Sequence, residues 1–266
     1  MKFYVDGFLQ SNLDVAKKVV KKDWDMVFLV DGPEGSGKSV LAMQCAYLCD
    51  PSFCIERVVF TPKDFREAVV NAKPYTAIVY DEAYTGLSSR ATMSLINRTL
   101  IKMLAEIRQR NLFVIVVMPT FFDLDKYVAL WRSRILLHVY TEEGFARGYF
   151  RFYNIDRKKD LYILGKKFYN YKVVKANFRG RFTNFYVVDE SAYRKAKKDA
   201  LTSRENKASD DALMKEVRDQ IFIRLMELPE STKEKLTNRL MAQILGISEV
   251  WFYEKIKRYN SGELSL

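Results

Sequence analysis

Residues 32–39 read Gly32-Pro33-Glu34-Gly35-Ser36-Gly37-Lys38-Ser39, which meets the spacing G-x-x-x-x-G-K-[ST] in full. Each residue type there has a task in holding a polyphosphate. Small residues let successive backbone N–H groups turn inward around phosphate oxygens, and a helix starting at this point adds the positive end of its dipole. The lysine ammonium reaches the β- and γ-phosphates, and the serine hydroxyl is a ligand for Mg²⁺. A glycine-rich loop can exist with no ligand, so the flanks matter. An apolar run, Met26–Asp31, leads straight in, and small and apolar residues lead out. That is the strand-to-helix setting the motif requires, and it makes ATP with Mg²⁺ the expected cofactor pair.

A second constellation is Ala77-Ile78-Val79-Tyr80-Asp81-Glu82, an apolar run ending in two acids. At the carboxyl end of a strand beside the phosphate loop, Asp81 is placed to hold Mg²⁺ through water. Glu82, one residue on, is placed to activate the attacking water. Alone, such a pair is more often a solvated turn. Here the phosphate loop precedes it by about one strand–helix unit, which favours the catalytic reading. The expected catalytic residues are therefore Glu82 and Lys38, and the expected metal ligands are Ser39 and Asp81.

The elements that must position these residues follow from periodicity. Short β-branched or aromatic runs at Met26–Asp31, Arg57–Phe60, Ala77–Asp81, Leu112–Met118 and Ile135–Tyr140 predict strands buried on both faces. Helices are predicted at Gly37–Leu48, Pro62–Asn71, Ser94–Arg110 and Leu124–Arg132, with Thr61 as a cap ahead of a first-turn proline. This alternation predicts an α/β fold with a parallel sheet. From about residue 144 the pattern changes to short aromatic runs at Phe145–Ile155, Leu161–Leu164, Tyr169–Val174 and Asn184–Val188, which predict antiparallel β-hairpins. Residues 191–211 are charged and nearly free of large apolar side chains, which predicts a linker or a solvated helix. The expected organisation is an ATPase domain over 1–190, with its hairpin extension at 141–190. A linker at 191–211 and an all-α module at 212–266 follow.

The chain has 266 residues, 29% of them charged, and a net charge of +11. Excess charge of this size points to a polyanionic partner. It is densest in residues 141–190, where eleven Lys/Arg face six Asp/Glu. No apolar stretch approaches the roughly 20 residues of a membrane-spanning helix, and Met1–Val5 lacks the basic-then-apolar pattern of a signal peptide. The three cysteines (Cys45, Cys49, Cys54) match no zinc spacing and fit buried thiols in a reducing compartment. A cytoplasmic location with no membrane anchor is expected.

Taken together, GPEGSGKS, IVYDEAY, the RQRN turn into FVIVVMP, FFDLDKYVALWRSR and the stretch Gly180–Tyr186 resemble the FtsK/HerA superfamily of ring-forming DNA-translocating ATPases. Within it, the likeness is to zonula occludens toxin-type and conjugation or phage DNA-pumping ATPases, over roughly residues 20–190. The resemblance implies a RecA-like P-loop NTPase of the branch with an additional strand and a catalytic glutamate. It implies a hexameric ring with the site between subunits, and it implies that DNA is moved or remodelled for a mobile element such as a plasmid or virus. It also implies a polar γ-phosphate sensor ending the strand after the Asp81-Glu82 strand. Thr120 is the residue there, and a helix cap is its equally weighted alternative. Arginines available to reach a neighbouring subunit's nucleotide are Arg90, Arg98, Arg108, Arg110, Arg132 and Arg134. Toxin-type relatives carry a membrane anchor, and this chain departs from them there.

Two stretches are candidates for DNA contact. Residues 147–181 interleave basic and aromatic side chains, with Arg147, Arg151, Arg157, Lys158, Lys159, Lys166 and Lys167 marking a basic face suited to phosphates and stacked bases. The alternative is a solvated hairpin surface over an aromatic core. Near the C-terminus, Met241–Ser248 followed by Val250 and Ile256 has the pattern of a helix-turn-helix. Ala242 allows close approach, Gly246 makes the turn and Ser248 caps the second helix. Trp251, Tyr253, Lys255, Lys257 and Arg258 would then meet DNA, and the alternative is a helical pair for oligomer contacts. Two rivals to a DNA motor remain open from sequence. One is an AAA+-type replication initiator or helicase loader, which needs a helical lid. The other is a non-motor DNA-binding regulator that uses ATP as a switch.

Overall fold

Met26–Asp31 is buried along its whole length and forms β1, at the centre of a seven-stranded sheet. The computed structural model describes residues 3–81, 97–98, 100–105, 107, 110–229, 236–261 and 263, with only the backbone at 204–213. The other strands are β2 (Val58–Val59), β3 (Ala77–Tyr80), β4 (Phe113–Met118), β5 (Ile135–Tyr140), β6 (Tyr149–Tyr153) and β7 (Phe178–Arg181), in the order β2-β3-β4-β1-β5-β6-β7. The first five are mutually parallel. β6 and β7 continue the sheet antiparallel. β4 lies between β1 and β3, as the additional strand of the resemblance requires.

The chain divides into two units, residues 1–200 and 201–266. In the first, both faces of the sheet are covered, which is why its strands read as continuous apolar runs. Phe28 and Val30 face α1 (Gly7–Val20) and α2 (Lys38–Cys49). Val27 and Leu29 face α3 (Pro62–Asn71) and α4 (Ile155–Gly165). Thr61 caps α3 as expected, accepting from Asp64 N–H at 3.1 Å. α1, for which no element is predicted, starts at Asp6, whose carboxylate accepts from Leu9 N–H at 3.0 Å. No described helix is long and apolar enough to cross a membrane.

The expected hairpins give way to a different arrangement. Only β6 and β7 are strands in that region, and α4 connects them through a loop. Leu161–Leu164 belongs to α4. Its buried residues are Lys158, Leu161, Tyr162 and Gly165, a helical spacing, and Asn154 caps the helix by accepting from Arg157 N–H at 3.1 Å. A four-residue apolar run cannot by itself separate strand from helix, and the cap decides it here. Tyr169–Val174 and Asn184–Val188 are loop. The helix predicted at Leu124–Arg132 is a π-turn over Val128–Arg132. Ser133 N–H closes on Val128 O at 3.1 Å, and its hydroxyl back-bonds the same carbonyl at 2.9 Å, which holds the wider turn.

Residues 191–211 lie within α5 (Glu190–Met226). Its first turns belong to the first unit, where Tyr193 is buried and Ala196 and Ala200 pack on the core. In the second unit α6 (Asn238–Ile244) and α7 (Glu249–Asn260) join Phe222 and Ile223 in a small core of their own.

Lys158, expected on a basic face, is instead fully buried, with its ammonium donating to Ala129 O of the π-turn. Burial is the chief cause that lowers its pKa to about 7, with Lys159 and Arg134 adding repulsion. Above that pH the fold excludes a proton which the unfolded chain keeps until about pH 10. Stability should therefore rise with pH between those limits, and the cost of the buried charge is fully felt below them. In urea unfolding across this range, Lys158→Met is expected to flatten the rise. An equal rise in the variant would place its origin elsewhere.

Candidate nucleotide site

The loop between β1 and α2 is built from backbone that only glycine adopts easily. Gly32 has φ 141° and Gly37 has φ 97°. A Cβ on Gly32 would stand 2.1 Å from Val139 O of β5, so the loop lies directly against the neighbouring strand. Gly37 caps α2, and the helix begins at Lys38. Ser36 Oγ donates to Pro33 O at 2.7 Å, and Lys38 Nζ donates to the same carbonyl at 2.6 Å. Burial holds the Lys38 ammonium below the ordinary lysine value, while Asp31 and Asp81 pull the other way. Gly32 to Ser39 thus form one cradle at a helix N-terminus, with a half-buried ammonium inside it.

Across the cradle, Ser39 Oγ donates to Asp81 Oδ1 at 3.0 Å, joining residues 42 positions apart. Asp81 follows β3 and is wholly buried. A hydroxyl and a carboxylate side by side are hard oxygen donors of the kind Mg²⁺ takes, so the residues present fit that ion. Glu82 lies outside the described residues.

Three features near the cradle carry no motif. Tyr193 of α5 donates its hydroxyl to Asp81 Oδ2 at 2.5 Å. Burial first, then the neighbouring Asp81, pushes the phenol pKa up and keeps it a donor. Both Asp81 oxygens are therefore oriented by protein hydroxyls. Arg147, read as part of a basic face for DNA, brings its guanidinium 3.7 Å from the point where a Gly35 Cβ would stand. Beneath the loop lies a third group around Asp31, the last residue of β1. Asp31 Oδ1 lies 3.1 Å from His138 Nδ1, and Oδ2 accepts Phe121 N–H at 2.9 Å and the Tyr171 hydroxyl.

Thr120 belongs to this third group. Its Oγ1 lies 3.2 Å from Tyr171 Oη and accepts Phe122 N–H at 3.3 Å, capping the 3-10 turn Phe121–Asp123. The cap is thus present, and a hydroxyl at the carboxyl end of β4 is present with it. Among the candidate arginines, Arg132 is buried and paired with Asp25, so it cannot reach a neighbour. Arg110 donates to Val70 O at 2.8 Å, and Arg134 lies 5.2 Å from the Trp24 ring. Arg90 and Arg108 lie outside the described residues.

In the second unit the expected turn is present. Gly246 has φ 64°, Ser248 accepts Trp251 N–H at 3.3 Å, and Ala242 is buried. Trp251, Tyr253, Lys257 and Arg258 are exposed on α7. Lys255 is not: it is buried, ion-paired with Asp219 and 5.6 Å from the Phe222 ring.

Because Asp81 is oriented through Tyr193, Tyr193→Phe is expected to raise the Mg²⁺ concentration for half-maximal ATP turnover by about 10-fold, the lower end for losing an outer-sphere partner. A Mg²⁺ titration at saturating ATP reads this directly. An unchanged midpoint would make the tyrosine a packing residue only.

A phosphate cradle after β1, an additional strand between β1 and β3, and an acid following β3 that bonds the cradle's serine define the core of a P-loop NTPase. No protein-family model matches the chain, and no curated protein matches it. Among solved structures it is similar to the N-terminal domain of zonular occludens toxin from Neisseria meningitidis. The identity is 16%, over 64% of this chain and 98% of that one, with a TM-score of 0.34. It is also similar to the genome packaging NTPase B204 from Sulfolobus turreted icosahedral virus 2, in complex with AMP. There the identity is 15%, over 51% of this chain and 95% of that one, with a TM-score of 0.32.

Proposed function

We propose that the chain is a Mg²⁺-dependent, ATP-hydrolysing motor or remodelling protein that acts on DNA for a mobile element, working as the hexameric homo-oligomeric ring that the resemblance implies. The observation that carries the enzymatic part is the Ser39–Asp81 bond of 3.0 Å at the mouth of the phosphate cradle. The backbone from Gly32 to Ser39 wraps the phosphates, and Lys38 leaves Pro33 O to meet the β- and γ-oxygens. Mg²⁺, when bound, supplies charge neutralisation between those phosphates, with Ser39 and Asp81 holding it. Glu82 takes the proton of the attacking water, and Thr120 orients the γ-phosphate from the end of β4.

DNA enters through the charge distribution. Residues 141–190 hold eleven Lys/Arg against six Asp/Glu, and they follow directly on β5. Exposed Trp251, Tyr253, Lys257 and Arg258 on α7 form a second contact surface, in the second unit. An AAA+-type loader fits less well, because β5 is followed by β6 in the same sheet and not by a helical lid. Phosphate release measured with and without DNA, beside native mass, tests the reading. Expected are a ring mass and turnover stimulated by DNA. A monomer whose turnover ignores DNA would overturn it.

The division at residues 200/201 sets where the DNA module is to be cut away. A stop after Arg194 would strip Ala196 and Ala200 from the first unit's core. A chain ending at Ala200 is expected to keep basal turnover and to lose duplex affinity by about 10-fold or more, as several charge-assisted contacts go. Equal affinity at matched salt, by anisotropy, would assign the second unit to oligomer or partner contacts.

A further inference from the structure

His138 on β5, Arg151 on β6 and Arg179 on β7 stand directly opposite one another, and Asp31 on β1 extends the row. Residues in cross-strand register share a face, so three basic side chains and one acid lie side by side across the sheet. The three basic residues border a cleft of about 900 Å³ that also takes in Tyr140, Tyr169, Tyr171 and Lys172. Like charges directly opposite each other oppose sheet formation unless something neutralises them. Here little does. Among the described residues no carboxylate is ion-paired with Arg151, Arg179 or Lys172, and the acids Glu142 and Glu143 stand at the cleft's border.

Arg151 is the informative member. Among the described residues its Nε is buried with no hydrogen-bond partner, while the rest of the guanidinium reaches Tyr171 O at a long 3.4 Å and bonds the Tyr153 side chain. The guanidinium lies 5.0 Å from the Tyr140 ring. A buried donor without an acceptor costs free energy that an incoming anion removes. Beside it, Phe168 and Tyr169 are exposed, 71% and 55% accessible, with Lys167 over the Phe168 ring and Phe122 edge-on to Tyr169. Guanidinium donors for phosphate next to solvent-exposed aromatic side chains are the recognition chemistry of single-stranded nucleic acid. The volume is that of a site for one drug-sized molecule, so it takes a short stretch of one strand and not a duplex.

The inner wall of the cleft leads to the nucleotide cradle. The Tyr171 ring stacks on His138 with centroids 3.7 Å apart, and its hydroxyl donates to Asp31 and lies 3.2 Å from Thr120 Oγ1. Asp31 immediately precedes Gly32. A ligand that shifts the Tyr171 loop acts on the residue before the cradle and on the hydroxyl at the end of β4.

We propose that this cleft binds a single nucleic-acid strand, with Arg151 and Arg179 on a backbone phosphate, and that Tyr171 is a positioning residue which transmits occupancy to Asp31 and Thr120. The inference rests on the DNA reading above and gives it a place and a strand preference. The test uses the full chain, fluorescein-labelled oligothymidylate and a salt series. Lys172 and Arg179 are exposed, so the double variant Lys172→Ala/Arg179→Ala retains the fold's core. It is expected to weaken binding about 10-fold or more and to shallow the salt slope by about 1.4, at ~0.7 per phosphate contact of a single strand. Tyr171→Phe is expected to bind the strand within about twofold of the parent, while the factor by which the strand stimulates hydrolysis falls towards one.

The outcomes separate cleanly. A parent protein that binds no oligonucleotide and ignores DNA in turnover overturns the DNA reading and this site together. A parent that binds, with a Lys172/Arg179 variant equal to it in affinity and slope, overturns the cleft and leaves the DNA reading standing. Loss of fluorescent ADP binding in that variant, with unchanged oligonucleotide affinity, assigns the cleft to the free nucleotide and overturns the proposal. Undiminished stimulation in Tyr171→Phe overturns the transmission step.

Discussion

The Lys38→Ala protein is expected to fold as the parent does and to hydrolyse ATP at least ~10³-fold more slowly, the upper range for removing one preorganised charge from a developing transition state. Among the described residues the ammonium makes one hydrogen bond, to Pro33 O at 2.6 Å, so its loss leaves the packing of β1 and α2 untouched. It is half-buried between Asp31 and Asp81, and burial holds its pKa below the lysine norm while the two acids oppose that shift. Replacing the Pro33 carbonyl with a polyphosphate gives the charge a stronger partner at the same place. Alanine supplies none, and charge building on the γ-phosphate oxygens goes unmet. Phosphate release beside a thermal melt separates the two effects. Turnover within about 10-fold of the parent, in a protein that melts at the same temperature, would sink the cradle assignment.

The parts of the fold that were legible are those whose physics is local. β1 and β5 coincide with their predicted bounds because both faces of each strand are covered, leaving continuous apolar runs. α3 coincides because Thr61 and Pro62 mark its start. The loop from Gly32 to Ser39 and the start of α2 were legible for the same reason, since they fall within eight consecutive residues. What was hidden is non-local. Tyr193 reaches Asp81 across 112 positions, and Tyr171 reaches Asp31 across 140.

A signal for Tyr193 did exist. Tyr193, Ala196 and Ala200 recur at a helical spacing inside a stretch whose charge suggested a linker or a solvated helix, and those residues seat α5 on the first unit's core. For Lys158 there was no such signal. In sequence it stands beside Lys159 as one of a basic pair, and only the helical phase of α4 turns one inward and leaves the other 4.3 Å from the Trp131 ring. Aromatic density at 145–188 was read as hairpins because rings favour strands. In the fold some of those rings pack between elements instead, as Tyr162 does on Phe121 and Tyr171 on Phe122.

Glu82→Gln is expected to bind ATP with Mg²⁺ about as tightly as the parent and to hydrolyse it at least ~100-fold more slowly, the usual contribution of a positioned base. The expectation of retained binding comes from the residue before it. Asp81 holds Ser39 Oγ at 3.0 Å on one oxygen and the Tyr193 hydroxyl at 2.5 Å on the other. Neither bond involves the Glu82 side chain, so the Ser39–Asp81 pair survives the substitution. Glutamine keeps the size and the hydrogen-bonding reach of glutamate but cannot accept a proton from water. The chemical step is therefore removed while the ground-state complex stays. Asp81→Asn makes the contrast: its amide nitrogen would face a hydroxyl donor, either Ser39 or Tyr193, and Mg²⁺-nucleotide affinity should fall along with turnover. Fluorescent-nucleotide binding with and without Mg²⁺, beside single-turnover hydrolysis, resolves the two variants. If Glu82→Gln loses nucleotide affinity as Asp81→Asn does, Glu82 is a structural or metal residue. The base must then be sought on another element.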